Sequence, residues 1–275
     1  MKGRCSMLAK RGLIFHAEGC ALVCARANGI RLLSPGARAT QQPVHIHLYG
    51  RRRGVGGPGG GRWHGCSGSK HTTLKSLWPS GDETVASAVA ILPLMPVDLR
   101  TCRSDITSQS GENGVIAAIF CEIGITNRFC VEFGGYDAVK YSNVNPLWTR
   151  EGFTAVVIEG DPAVARKVQE QVEQITRAGI AAGGRCVVVT RWVQPSGPDG
   201  LDGILAGLAA TGVQAPREPD LVSIDIDSVD YQVWDGITHH RPRVVVIEHN
   251  PSVPTQFSII GEPGKVRMGA SARAL

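Results

Sequence analysis

FCVEFGGYDA at residues 129–138 and AVVIEGDPA at 155–163 are the two stretches on which the fold turns. Each is a short apolar run that ends in an acidic residue, Glu132 in the first and Glu159 in the second, and the step from 132 to 159 is 27 positions. In the first, the acid is followed closely by Gly134 and Gly135. A buried strand, a glycine turn, a helix and a second strand ending in a carboxylate build a nucleotide-binding βαβ unit. The turn lets a ligand approach the backbone, and the second carboxylate reaches a ribose diol. The pair therefore predicts an α/β protein that binds an adenosine-containing cofactor.

Working outward, the spacing predicts further strands at Arg185–Thr190, Asp220–Ile226 and Arg243–Glu248. GENGVIAAIFCEIG at 111–124 places Val115, Ile116, Ile119, Phe120 and Ile123 on one helical face. A second helix is expected over 161–179, with Asp161 as N-cap, Pro162 in the first turn and Gly179 at the end. Shorter helices are expected near 201–211 and over 229–237, and 141–147 reads as a polar connection. Alternating strands and helices imply a mostly parallel sheet with helices on both faces. Right-handed crossovers then bring the strand C-terminal ends to one rim, where ligands of such sheets bind.

That rim collects the candidate site. Glu132, Gly134, Gly135 and Asp137 come from the first strand and its turn, and Glu159, Gly160 and Asp161 from the second. LVSIDIDSVDYQVW at 221–234 adds Asp225, Asp227 and Asp230, and VVVIEHNPSVP at 244–254 adds Glu248, His249 and Asn250. Carboxylates and a histidine so placed can orient a substrate or take a proton. Asp225, Asp227 and Asn250 form an oxygen-rich set of the kind Mg²⁺ takes. Nothing in the sequence determines its geometry, and no metal is assigned. No P-loop, HExxH or GxSxG is present, which counts against the NTPase and hydrolase classes that need them.

The charge is unevenly spread. Residues 1–80 hold 13 Lys/Arg and one acid, Glu18, a balance of +12; the whole chain is +5, so residues 81–275 carry −7. RRRGVGGPGGGRWHGCSGS at 51–69 is too rich in glycine and arginine to bury a core. Residues 1–104 therefore read as a basic, largely disordered region, and 105–275 as the folded unit. Such an arm would attract phosphates, but binding to nucleic acid is not the favoured reading. The apolar pieces 30–33 and 86–94 are isolated. The Cys and His residues of the arm, among them Cys20, Cys24, His45, His47, His64, Cys66 and His71, match no zinc spacing. The eight cysteines show no disulfide framework, and no apolar run has the length of a membrane span. No continuous apolar core with a cleavage site marks a signal peptide. A reducing, cytoplasmic setting is expected.

SQSGENGVIAAIF at 108–120, VEFGGYDA at 131–138, YSNVNPL at 141–147, VVIEGDP at 156–162, SIDIDSVDYQVW at 223–234 and RPRVVVIEHNP at 241–251 occur in that order. Together they resemble the FkbM-like branch of class I S-adenosylmethionine-dependent methyltransferases, over roughly residues 105–275. The resemblance implies a Rossmann-like methyltransferase fold with S-adenosyl-L-methionine as cofactor and a small-molecule or sugar hydroxyl as acceptor. It implies that Glu132 and Gly134 lie beside the methionine part of the cofactor, that Glu159 binds the ribose hydroxyls, and that Asp225 and Asp227 lie near the sulfonium and the acceptor. Asp227 or His249 would take the acceptor proton.

Three departures stand out. The family usually has glycine at the positions of Ala138 and Ser228. The ending GASARAL, at 269–275, reads as the start of a helix that in the family leads into two last strands. A truncated sheet with a raw edge beyond its fifth strand is therefore expected. The alternatives are a methyltransferase-like binding protein without activity and, less well matched by the glycine pattern, an NAD-dependent oxidoreductase. The sequence does not determine the oligomeric state.

Overall fold

The computed structural model describes residues 13–16, 21–25, 98–262 and 269–275. The stretch 51–69, the apolar pieces 30–33 and 86–94, and the Cys/His set apart from Cys24 lie outside the described residues.

Five strands run parallel: β3 (Phe129–Phe133), β4 (Thr154–Glu159), β5 (Arg185–Thr190), β6 (Leu221–Ile224) and β7 (Val244–Glu248). They lie in the order β5-β4-β3-β6-β7. The chain thus moves outward one way from β3 and then crosses back to β6 on its other side, as in doubly wound nucleotide-binding sheets. The strands are rich in β-branched residues and four of the five are buried along their middle residues, so alternate side chains feed two cores. Cys130, Ala155, Val157, Leu221 and Val246 meet α1 (Glu112–Ile123), α2 (Asn145–Arg150) and α3 (Pro162–Arg177) on one face. Val131, Phe133, Val156, Val222 and Val245 meet α4 (Leu201–Gly207) and α5 (Asp230–Gly236) on the other. The architecture is α/β and Rossmann-like, with helices on both faces.

Helix α3 starts and stops as its sequence dictates. The Asp161 side chain accepts from the N–H of Ala163 at 2.7 Å and of Val164 at 3.1 Å, and Pro162 occupies the first turn. Ala165, Val168, Val172 and Ile175 form its buried stripe. The polar connection expected over 141–147 is in part helical instead. In α2, Pro146, Leu147 and Trp148 are buried, so packing overrides the turn-forming character of the asparagines. The strand expected over 220–226 stops at Ile224, because Asp225 and Asp227 have left the ladder.

The open edge expected beyond the fifth parallel strand is covered from the other end of the chain. Strands β1 (Leu13–His16) and β2 (Ala21–Ala25) pair antiparallel with each other, and β2 pairs antiparallel with β7 from Ala21↔Glu248 to Ala25↔Val244. Among the described residues the sheet has seven strands, and β7 is interior to it. The ending at 271–275 forms a single turn, with the Ala274 N–H donating to the Ser271 carbonyl at 2.9 Å, and Ala274 and Leu275 pack into the second core.

At the opposite rim from the candidate site, Asp220 is fully buried. Its carboxylate accepts from the N–H groups of Thr126 (3.1 Å), Asn127 (2.8 Å) and Arg128 (2.8 Å) and from Arg243 Nη1. Arg243 also donates to the carbonyls of Gly124 and Ile123, both at 2.9 Å, at the C-terminus of α1. One carboxylate therefore ties together the entries to β3, β6 and β7. Replacing Asp220 with Asn leaves Arg243 without its partner charge in a largely buried position, and we expect a loss of about 3 kcal/mol in denaturant unfolding.

Candidate functional site

At the switch point of the sheet the chain leaving β3 passes close against the chain leaving β6. Gly134 follows β3 with φ +71° and donates its N–H to the Ile158 carbonyl at 3.0 Å. A Cβ on Gly134 would strike the Asp225 carbonyl oxygen, and one on Gly135 would strike Val157. The glycine pair thus lets β3 turn away between two neighbouring strands. Ala138 also has a positive φ of +61° and is buried. Tyr136 (φ +42°) and Tyr141 (φ +65°) continue the strained loop. Their exposed rings lie 6.2 Å apart, and Lys140 Nζ sits 4.7 Å from the Tyr141 centroid.

Glu132 lies beneath this loop, 3% exposed. One carboxylate oxygen accepts from Ser142 Oγ at 2.6 Å and the other from the Asn143 N–H at 2.6 Å. Burial pushes its pKa up to about 7 against these two stabilising hydrogen bonds. The side chain is turned into the protein, where it holds the 141–145 segment. Asp137 likewise serves its own loop, accepting from the Val139 and Lys140 N–H groups at 2.9 and 2.6 Å.

One strand over, Glu159 is half-buried at the end of β4 and accepts the Asp161 N–H at 3.0 Å. A Cβ on Gly160 would collide with the indole of Trp192, so this ring lies flush against the Glu159–Gly160 backbone. Trp192 itself is 70% exposed and forms an aromatic wall beside Glu159. The sequence does not single it out, because only the β4–β5 pairing brings it there.

Between β3, β6 and β7 lies a cleft lined by Glu112, Tyr141, Asn143, Ser223, Asp225 and Glu248, among others. Carboxylate oxygens of Asp225, Asp227 and Glu248 all lie within 4.8 Å of one another. Loss of water around Glu248, followed by the charges of Asp225, Asp230 and Asp227, pushes its pKa up to about 8. Asp225 is raised by the same causes: the cleft strips water from its carboxylate although the residue has an exposed face, and Asp227 and Glu112 add like charge. Asp230 is different in kind. It is buried and accepts from the N–H groups of Ile226 (2.9 Å) and Ser228 (3.1 Å), holding the turn that carries Asp225 and Asp227, and burial raises its pKa to about 6.

The structure therefore brings Asp225 and Asp227 together with Glu248, and adds Glu112 from α1, a residue that the apolar helix pattern conceals. His249 is buried at 6% exposure and is not among the residues lining this cleft. Asn250 caps its own turn, its Oδ1 accepting from the Ser252 N–H at 2.9 Å. His240 belongs to another structural contact, with Nδ1 2.8 Å from Asp202 at the start of α4.

No protein-family model matches the chain, and no curated protein matches it. Among solved structures, it is similar to one provisionally assigned as an O-methyltransferase from Klebsiella pneumoniae, at 15% identity and a TM-score of 0.31, over 49% of this chain and 52% of that one. The chain thus spans about half the length of that structure. Among the described residues no helix is long and apolar enough to cross a membrane.

The raised carboxylates give stability a sign with pH. Glu132, Asp230 and Glu248 hold protons in the folded state up to about 7, 6 and 8, above their ordinary values of 4.5, 3.8 and 4.5. Their contribution is complete below those ordinary values and is lost as pH rises through the folded ones, because there the folded state binds more protons than the unfolded. The urea midpoint should therefore be lower at about pH 8.5 than at about pH 5.5, and Glu132→Gln should shrink the difference.

Proposed function

We propose that the chain is an S-adenosylmethionine-dependent methyltransferase of the FkbM-like branch, acting in the cytoplasm on a hydroxyl of a sugar or other small molecule, with residues 105–275 as its methyltransferase-like unit. The observation that carries this reading is the convergence at the switch point. There the Gly134–Gly135 turn leaves β3, Glu159 stands half-buried one strand away, and the Asp225/Asp227 turn faces them from β6. Ligands of doubly wound sheets lie in this crevice.

The residues present fit the cofactor. Glu159 offers a carboxylate to the ribose diol, Gly160 and Asp161 shape the turn beside it, and Trp192 gives the neighbouring apolar wall. Gly134 and Gly135 let the chain turn tightly out of β3 beside the proposed cofactor site, where a side chain on either would strike Asp225 or Val157. Asp137 and Glu132 position the loop around the methionine part, and Asp225 presents negative charge to a cationic centre. When bound, S-adenosylmethionine supplies an electrophilic methyl group on a sulfonium. The chain's own work is to align an acceptor hydroxyl with that methyl and to receive its proton, for which Asp227 is exposed and stands beside Asp225 and Glu248. His249 remains the second candidate for that proton only if the segment after β7 rearranges on binding.

Calorimetry with S-adenosylmethionine and its demethylated product tests the reading. Binding of about micromolar strength by the full chain, weakened about tenfold or more in Glu159→Ala, is the expected result. A folded chain that binds neither compound overturns the methyltransferase reading, and binding unaffected in Glu159→Ala overturns the assignment of the ribose site.

A further inference from the structure

We propose that the rim where the parallel strands begin, opposite the candidate site, binds the phosphate backbone of a nucleic acid. Each strand entry brings an arginine there. Arg185 opens β5, Arg150 ends α2 just before β4, Arg128 precedes β3, and Arg217 and Arg241 precede β6 and β7. Main-chain pairing sets them in a row. Arg185 pairs with Thr154, Thr154 donates its N–H to the Arg128 carbonyl at 2.7 Å, and Arg241 donates its N–H to the Arg217 carbonyl at 2.7 Å. Neighbouring strands lie about 4.8 Å apart, so the five entries span about 20 Å. A duplex strand presents a phosphate about every 3.4 Å along its axis, so about six phosphates match this length. The members come from positions 128 to 241, and no local pattern in the sequence records the row.

All five arginines are exposed, and none forms an ion pair among the described residues. Arg177 and Arg243, also at this rim, are spent on Glu173 and Asp220. Glu122, Glu151 and Glu218 stand along the same rim, so five arginines meet three glutamates, a surplus of two. Arginine fills every place in the row, and its planar fork takes phosphate oxygens in pairs.

The path of the chain is an independent observation. Strand β2 ends at Ala25, opposite Val244, and β1 begins at Leu13, opposite Ala25. The segments 1–12 and 26–80 therefore both join the fold at the arginine rim. They hold 4 and 9 Lys/Arg, which are all 13 of residues 1–80, while the one acid, Glu18, lies between β1 and β2 in the sequence. The opposite rim gathers carboxylates instead, so a polyanion is drawn to one end of the strands and repelled from the other. A lipid surface also offers phosphates, but it takes up an apolar face beside the charge. Ile180, 57% exposed between Arg177 and Arg185, is a single side chain and falls short of such a face. Binding at this rim does not depend on the methyltransferase reading.

The experiment follows the fluorescence anisotropy of a labelled oligouridylate of about 20 nucleotides, titrated with the full chain at about 50 and about 200 mM KCl. Saturable binding, weakened about tenfold or more at the higher salt, is expected. The double variant Arg217→Glu, Arg241→Glu should weaken it about tenfold or more at the lower salt. A control, Arg166→Glu with Lys167→Glu on α3, makes the same change of net charge away from the rim and should weaken it less than about threefold. All four positions are exposed, so both variants keep the fold, as unchanged urea midpoints would verify. No saturable binding at the lower salt overturns the proposal. Undiminished binding in the rim variant, or equal loss in rim variant and control, overturns the assignment to the arginine row. Capture by phosphatidylserine vesicles without binding of the oligouridylate gives the rim to a membrane and overturns the nucleic-acid partner.

Discussion

The buried carboxylate of Asp220 is the constraint on which the sheet depends. Three consecutive N–H groups of the 126–128 turn and the guanidinium of Arg243 converge on it. Arg243 in turn caps the carbonyls at the end of α1. A buried charge is tolerated only when its hydrogen-bonding capacity is filled, so these segments are held in one arrangement. The register of β3, β6 and β7 at their entry points follows from it. So does the height at which each strand ends on the opposite rim. The candidate site side chains stand at the other ends of the strands whose entries this contact holds.

At the rim itself, polar groups divide into those that build the site and those that face it. Glu132, Asp137, Asp161 and Asp230 spend their oxygens on backbone N–H groups or a hydroxyl of their own loops. They make an irregular surface rigid, which is what a preorganised site requires. Asp225, Asp227 and Glu248 are left in close company, and Glu159 stands apart beside Trp192. The strained loop 134–141, with positive φ at Gly134, Tyr136, Ala138 and Tyr141, is the local conformational cost of passing a chain through the narrow switch point.

Much of the fold was legible because burial and period coincide. Phe129–Phe133 and Arg185–Thr190 have the bounds their apolar runs predict, and α3 has the cap, proline and glycine its ends require. Helix α2 was not legible, since Asn143, Asn145 and Pro146 signal a turn while Trp148 and Leu147 are what the core takes in. Nor was the pairing of Ala21–Ala25 with β7: a five-residue apolar run in a basic arm carries no mark of the partner it will meet more than 200 positions later. Of the site, the rim and most of its acids could be read, but not their division of labour. Glu112 was hidden in an apolar helix, and Glu248 ranked below His249 until burial separated them.

The sequence by itself determined the class of fold, the order of its elements and the rim on which the acidic residues gather, because hydrophobic period and glycine position are local properties of the chain. Only the tertiary structure decided which of those acids face the cleft, which are consumed in holding it, and what covers the edge of β7. These depend on contacts between residues distant in sequence, on the water each group loses, and on the charges brought within a few ångströms of it. No local pattern records them.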